Sequence, residues 1–149
     1  MKRTLSVVEI MSVLALVSLL STSVYQQAEE QGQLVCYRSV LHTLSDAIRT
    51  LAWRTPTRHQ RVELRIDRRQ RSFTMVVVAV NPHSVDTVEE TIWLPEGLEI
   101  LDAPGAITAS ADGELPPTTI IVAAPVQNRL FRMVTTISGG VQLHEESTL

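Results

Sequence analysis

The chain has 149 residues, of which 44% are hydrophobic and 19% charged, and its formal net charge is −3. This length suits one modest domain with an appendage, and the apolar content predicts a folded rather than a disordered chain. The small negative charge gives no overall attraction to nucleic acid. The single cysteine, Cys36, excludes an intramolecular disulfide and a cysteine metal cluster.

The first predicted element is a transmembrane helix over residues 5–25. Of the 20 residues from Leu5 to Val24, 13 are apolar, and the others are five serines, one threonine and Glu9. A helix of 20 residues rises about 30 Å, which is the thickness of a bilayer core. Two basic residues precede the segment and two acids follow it, so the positive-inside rule predicts a cytoplasmic N-terminus and an exported remainder.

A cleaved secretory signal and a plain membrane anchor are the alternatives for this segment. A signal peptide would also have a basic start and an apolar stretch, but no clear A-x-A cleavage site follows here. Neither alternative explains Glu9, because a carboxylate in lipid costs on the order of 2 to 3 kcal/mol and usually has a partner.

The stretch KRTLSVVEIMSVLALVSLL resembles the processing and assembly segment of type IV pilins and type II secretion pseudopilins. The family pattern is a short basic leader, a small residue that is usually glycine, an apolar residue, Thr or Ser, two aliphatics, Glu and a long apolar helix. The resemblance makes residues 1–4 the leader, with Thr4 in the usual glycine position. It implies cleavage by prepilin peptidase between Thr4 and Leu5, and N-methylation of Leu5 as the first residue of the mature chain.

The same resemblance implies an assembly role for Glu9, the fifth residue of the mature chain. In the family this carboxylate is thought to meet the terminal amine of a neighbouring subunit. Such a pair would offset the desolvation of both charges and would fix the axial register between helices. The implied partners are other pseudopilins in a hetero-oligomeric filament, prepilin peptidase and the inner membrane.

Residues 26–54 are predicted to continue the helix as an amphipathic segment. Its large residues recur at the spacing 3-4-3-4-3. They are Leu34, Tyr37, Leu41, Leu44, Ile48 and Leu51. Polar residues, Ser45 among them, are assigned to the other faces, and Pro56 predicts a helix end near Trp53 or Arg54. Two to three heptads are too few to favour a coiled coil, so we expect the stripe to pack on a sheet.

Residues 55–149 are predicted to form a β-rich periplasmic domain. RVELRID places Val62, Leu64 and Ile66 on one face of a strand, and SFTMVVVAV follows as its hairpin partner. ETIWL and LEIL form one bent strand or two short ones, and Asp112-Gly113 is a turn signal. TTIIVAA, LFRMVTTI and a short VQL complete about seven strands. The fold class is therefore α+β: a long N-terminal helix packed on a mostly antiparallel sheet, as in pilins.

The segments LPEGLEI, ITASADGELPPTTIIVAA and FRMVTTISGGVQL resemble the C-terminal region of the H-type minor pseudopilins and their fimbrial-biogenesis relatives. Two positions depart from that pattern. Ala109 stands where an aromatic residue is common before DG, and GGVQL replaces the G-R-V ending.

The sequence offers no catalytic, cofactor-binding or metal-ligating set. None of the four histidines lies at a ligand spacing from another His or Cys. They are His42, His59, His83 and His144. Asp112-Gly113-Glu114 lacks the ligand count of a calcium loop, and no phosphate-binding or hydrolase motif occurs. Trp53 and Trp93 are interpreted as core or interface aromatics.

Eight arginines fall between Arg49 and Arg71, whereas ten acids and only two basic residues follow from Asp86 onward. This arginine-rich stretch has four interpretations. It could be a solvated face, a patch that meets acids of a neighbouring subunit, a DNA-binding surface or a membrane-facing surface. In the minor pilins that bind DNA, the basic residues include a C-terminal G-R-x-R hairpin. This chain has GGVQ at that place, without the arginines, which does not favour nucleic acid as a partner.

Together these features predict a minor pseudopilin, a non-enzymatic structural subunit of a type II secretion pseudopilus involved in protein export. It would be a single-pass protein of the inner membrane without a small-molecule substrate or cofactor. One alternative is a type IV pilus minor pilin for fimbrial biogenesis or DNA uptake. Another is an exported, signal-cleaved binding domain with no filament role.

Overall fold

The computed structural model describes residues 7–58, 61–79 and 85–147, without the side chains of residues 9 and 56–58. Within these ranges one helix precedes eight strands. The helix is α1, Val7–Arg58, and a 3₁₀ turn spans Pro125–Gln127. The strands are β1 Val62–Asp67, β2 Ser72–Val77, β3 Thr87–Trp93, β4 Glu99–Asp102, β5 Ala106–Thr108, β6 Thr119–Ala124, β7 Arg129–Thr135 and β8 Val141–Ser147. The predicted α+β class is confirmed.

The chain divides into two compact units, residues 1–36 and residues 37–149. The first contains the N-terminal part of α1. The second, which we call the globular unit, contains the rest of α1 and all the described strands.

One four-stranded sheet has the order β3-β2-β1-β5, with every neighbouring pair antiparallel. The predicted hairpin of β1 and β2 is confirmed, with Val62 opposite Val77 and Asp67 opposite Ser72. Burial alternates along β1 as the period of two requires, because Val62, Leu64 and Ile66 all face the core.

The second four-stranded sheet has the order β4-β6-β7-β8 and is also antiparallel. ETIWL and LEIL are two separate strands, because β3 belongs to the first sheet and β4 to the second. The terminal strand is longer than the predicted VQL. It continues to Ser147 because each of its residues has a partner on β7.

The predicted helix end near Trp53 or Arg54 is wrong, since α1 continues to Arg58. A proline disfavours helical backbone at the residue before it, but neighbouring contacts can hold that residue in the helix. Thr55 is buried, and its Oγ1 donates to the carbonyl of Leu51 at 3.1 Å. This anchoring carries the helix through Thr55 and past Pro56.

The amphipathic stripe of α1 packs on the strands, as predicted. Leu41, Leu44, Ile48 and Leu51 are fully buried in one core with Phe73 and Met75 of the first sheet and Phe131 and Met133 of the second. Ser45 is also buried, contrary to its assignment to an outer face. Trp53 and Trp93 are 64% and 60% exposed, so neither is a core residue.

Candidate membrane and assembly surface

The N-terminal part of α1 exposes its large apolar side chains on all faces. From Val7 to Val24 their exposed fractions lie between 48% for Ile10 and 73% for Val7. A contiguous apolar surface of this extent is unusual for a soluble monomer, because soluble monomers rarely expose apolar patches above a few hundred Å². A surface of this kind suits lipid or other apolar helices as its surroundings.

The hydroxyl groups in this segment are bonded to the helix itself. Ser12 Oγ donates to the Val8 carbonyl at 2.7 Å, and Ser21 Oγ donates to the Val17 carbonyl at 2.8 Å. Thr22 and Ser23 do the same to carbonyls one turn back. Because a hydroxyl without a partner is costly in an apolar medium, these bonds suit a helix surrounded by hydrocarbon.

The segment is also long enough to cross a bilayer. No charged residue occurs from Ile10 to Ala28. These 19 residues rise about 28 Å as a helix, close to the 30 Å of a hydrocarbon core. Among the described residues, α1 is the one helix that is long and apolar enough to span a membrane, and its most apolar part is not buried within the protein.

The predicted processing and assembly residues occupy the start of this segment. Thr4 and Leu5 lie outside the described residues, and Glu9 lies in the first turn of the described helix without a described side chain. Cleavage, methylation and the pairing of Glu9 therefore stay predictions. The apolar surface that follows Glu9 is the part of the site that the structure describes.

Within the globular unit, α1 is held at its first residues by two polar contacts. Tyr37 Oη donates to the Glu96 carbonyl at 2.9 Å. Gly97 makes this approach possible, since its φ is +88° and a Cβ there would lie 2.3 Å from Tyr37 Oη. Arg38 forms a two-pronged ion pair with Glu145 of β8, with both N–O distances 2.9 Å.

Further contacts hold α1 to both sheets near its C-terminal end. Arg49 Nη2 donates to the Val141 carbonyl on β8 at 3.1 Å. Arg54 pairs with Glu89 on β3 through both of its terminal nitrogens. These contacts could not be predicted from the sequence, because the partners are 35 or more residues apart and no local pattern links them.

Four arginines of the arginine-rich stretch pair with acids of the same molecule: Arg49, Arg54, Arg65 and Arg68. Arg61 and Arg65 are exposed, as the solvated-face interpretation expects. Arg65 binds Asp86 at 2.6 Å, and Arg68 binds Asp102 at 3.1 Å. The hydrogen bond from Arg65, together with the Ala79 amide, lowers the pKa of Asp86. Arg38, through its hydrogen bond and then its charge, likewise lowers the pKa of Glu145.

The described residues contain no group of three His, Cys, Asp or Glu side chains that could hold a metal ion. His59 and His83 lie outside the described residues. Asp112-Gly113 forms the predicted turn, in which the Gly113 amide donates to the Ser110 carbonyl at 2.9 Å.

The fold and its exposed N-terminal segment define a pilin-like α+β protein: one long N-terminal helix with two antiparallel four-stranded sheets. Among solved structures, the chain is similar to the minor pseudopilin EpsH from the Type 2 Secretion System of Vibrio cholerae. The TM-score is 0.57 and the sequence identity 18%, over 72% of this chain and 95% of that chain. The predicted pilin-like fold is therefore confirmed. No protein-family model matches the sequence, and no curated protein matches it significantly.

Proposed function

We propose that this chain is a minor pseudopilin, a non-enzymatic structural subunit of the pseudopilus of a type II secretion system. The observation that supports this most is the combination of two parts in one chain. A globular unit with the fold of EpsH follows a helical segment whose apolar side chains are exposed on every face.

In this proposal the segment has two successive surroundings. It first anchors the subunit in the inner membrane, with the N-terminus in the cytoplasm and the globular unit in the periplasm. It then packs among the helices of other pseudopilins in the filament. Both surroundings are apolar, so the helix surface from Ile10 to Ala28, which carries no charged residue, suits each of them.

Processing by prepilin peptidase is part of the proposal and gives the first prediction. The mature protein should begin at Leu5 and should lack only the leader MKRT. Mass spectrometry of the native N-terminus measures this directly. A start near Tyr25 would indicate an ordinary signal peptidase, and an intact Met1 would show that Thr4 blocks cleavage. In that last case Thr4→Gly should increase processing.

Deletion of the gene, with complementation by the full-length protein, tests the function itself. We expect loss of secretion of an exported enzyme, and co-isolation of the tagged protein with other pilin-like subunits from membranes. Normal secretion with lost pili or lost DNA uptake would assign the chain to a type IV pilus instead. Normal secretion with no co-isolated subunit would indicate an exported domain without a filament role.

A further inference from the structure

The turn between β1 and β2 projects arginines from the end of the first sheet. Asp67 Oδ1 accepts the amide hydrogens of Arg69 at 2.8 Å and Gln70 at 3.0 Å, which fixes the turn. Arg71 has a φ of +54°, a left-handed conformation that favours glycine or asparagine. An arginine therefore stands at a position where the backbone favours a smaller residue.

Two of the arginines on this turn are available to a partner. Arg68 is already bound to Asp102 and to the Ala103 carbonyl. Arg69 and Arg71 have no ion pair within the described part of the chain. The turn thus carries guanidinium groups that no described residue of the same molecule neutralises.

An exposed tryptophan lies beside this turn. Trp93 is 60% exposed, and its Cα pairs with that of Ser72, the residue that follows Arg71. The Leu94 amide donates to the Arg71 carbonyl at 2.9 Å, which holds the end of β3 against the turn. Tryptophan and arginine are the residue types most enriched where protein surfaces bind each other tightly. The turn with Trp93 therefore suits a partner that carries carboxylates beside apolar surface.

The same chain has a groove with that chemistry between α1 and the edge strand β3. Its volume is about 450 Å³. Thr43, Ala47 and Met75 line it together with three carboxylates and the guanidinium of Arg54. Two of the carboxylates are paired, Asp46 with Arg49 and Glu89 with Arg54. Glu90, which lies opposite Met75 in the β2–β3 ladder, has no ion pair among the described residues, so the groove offers a negative charge beside a methionine.

We propose that two copies of this chain associate head to tail, with the β1–β2 turn and Trp93 of one copy at the groove of the next. The two surfaces differ, so each pair leaves one turn and one groove free and the contact can be repeated. This goes beyond the proposed function, because a helix packed among other subunits does not require two copies of this chain to touch. Nucleic acid is the weaker partner for the turn. Two free guanidinium groups are few for phosphate binding, and the net charge of −3 opposes it.

Disulfide crosslinking of the full-length protein in membranes tests the contact. In a Cys36→Ser background, one tagged copy carries Gln70→Cys at the turn and a differently tagged copy carries Thr43→Cys at the groove. Mild oxidation should give a mixed dimer. Two copies that both carry Gln70→Cys should give none, since the turn does not meet a second turn.

Charge exchange then identifies the residues. Arg69→Glu with Arg71→Glu on the turn copy should remove the mixed dimer, and Glu90→Arg on the groove copy should restore it. Arg61→Glu is the matched control: it reverses an exposed arginine outside the turn and should leave the dimer unchanged. Trp93→Ala should reduce the dimer without altering any charge.

Absence of the mixed dimer in the starting pair, equal yield from two turn cysteines, or no restoration by Glu90→Arg would overturn the proposal. A different result would also overturn the proposal: the unmodified protein binds duplex DNA, and the variant with Arg69→Glu and Arg71→Glu loses this binding but still forms the mixed dimer. That result would assign the turn to nucleic acid. Co-isolation with other pilin-like subunits should persist in the charge-reversed variant, because α1 is untouched. Failure of the head-to-tail contact is therefore distinguishable from failure of the proposed function.

Discussion

Variants of Glu9 distinguish two roles for the N-terminal helix: a plain membrane anchor and an element that assembles with other subunits. If Glu9 pairs with a terminal amine on a neighbouring subunit, Glu9→Val should leave membrane insertion intact and should abolish association with other pilin-like subunits. If the segment spans the membrane as proposed, insertion should become easier by up to about 3 kcal/mol, because the variant places no carboxylate in lipid. Glu9→Asp should give a partial defect, since the charge is withdrawn by one methylene. Co-isolation from membranes measures the association.

Ser12→Val is the control for the Glu9 variants. It also removes a polar group from the same face of the segment, but this hydroxyl already bonds to the Val8 carbonyl. Its association with other subunits should be normal. Normal association and secretion with Val at position 9 would rule out the register role.

Tyr37 and Gly97 form a second residue-scale contact that can be tested by stability. Gly97→Ala should destabilise the globular unit by about 2 kcal/mol, from the left-handed backbone and the approach to Tyr37 Oη. Tyr37→Phe should cost about 1 kcal/mol through its lost hydrogen bond. The double variant should cost less than the sum, because phenylalanine lacks the atom that a Cβ would strike. Thermal melting measures all three, and strictly additive losses would contradict the packing.

Residue patterns with a local period were predictable, and pairings across the chain were not. The alternation of Val62, Leu64 and Ile66 follows from the pleat of a strand and is visible in four or five letters. The hydrogen bond from Tyr37 to the Glu96 carbonyl joins residues 59 positions apart. The one nearby feature of the sequence that accompanies it is Gly97, which follows Glu96. A glycine at a turn is common, so this feature does not identify the tyrosine.

At the scale of the element, the C-terminal half of α1 is an integral part of the globular core. A version of the protein that begins at Gln26 should fold and be soluble, whereas one that begins at Thr57 should not fold. The shorter version loses four fully buried side chains, Leu41, Leu44, Ile48 and Leu51. At about 1.5 to 3 kcal/mol each their burial contributes roughly 6 to 12 kcal/mol, comparable to the entire stability of a small domain.

Circular dichroism and thermal melting distinguish the two versions. A third version that begins at Leu34 serves as the control, since it is also truncated but keeps the buried part of the stripe. It should melt at nearly the same temperature as the version from Gln26. Equal stability of the version from Thr57 would show that the helix does not support the sheets.

The element boundaries show where sequence rules compete. Pro56 alone predicts a helix end before it, yet burial of Thr55 outweighs this preference and α1 reaches Arg58. The hairpin of β1 and β2 was predictable because both strands and their turn are adjacent in sequence. The assignment of β3 and β4 to different sheets depends on distant partners, β2 and β6, so the sequence left it open.

At the scale of the whole molecule, several ion pairs join the basic first half of the chain to the acidic second half. Arg38, Arg54 and Arg65 each meet a carboxylate from Asp86 onward. The sequence showed the asymmetry but not this pairing, which depends on the tertiary fold. The pilin-like architecture was predicted by the N-terminal resemblance, and the shared fold with EpsH confirms it.

The paired carboxylates predict how stability depends on pH. Glu145 and Asp86 have lowered pKa values in the folded protein, mainly through their hydrogen bonds with Arg38 and Arg65. Their stabilising contribution is therefore complete above the unfolded pKa, about 4, and is lost as the pH falls through the lower folded values. The melting temperature of the version from Gln26 should be steady from neutral pH to about 5 and should fall below about 4.

Glu145→Gln should make this acid-induced decrease smaller, because one carboxylate with a lowered pKa is absent. Glu146→Gln is the matched control. Its neighbour Arg132 lies 3.8 Å away and both side chains are about half exposed, so its removal should change the profile little. An unchanged profile in Glu145→Gln would show that the pair with Arg38 does not stabilise the folded state.

The inward bonds of Ser12, Ser21, Thr22 and Ser23 also bear on the kinetics of assembly. Each hydroxyl bonds to a carbonyl of its own helix. Such a bond needs no partner from the surroundings, so it can form among lipid tails and among protein helices alike. Transfer from one medium to the other exchanges none of these bonds, so they add no activation barrier in either direction. If the segment moves between the two, its exchange is reversible as far as these groups are concerned. The rate of this transfer then depends on side-chain packing and on the machinery that moves the subunit from the membrane to the filament.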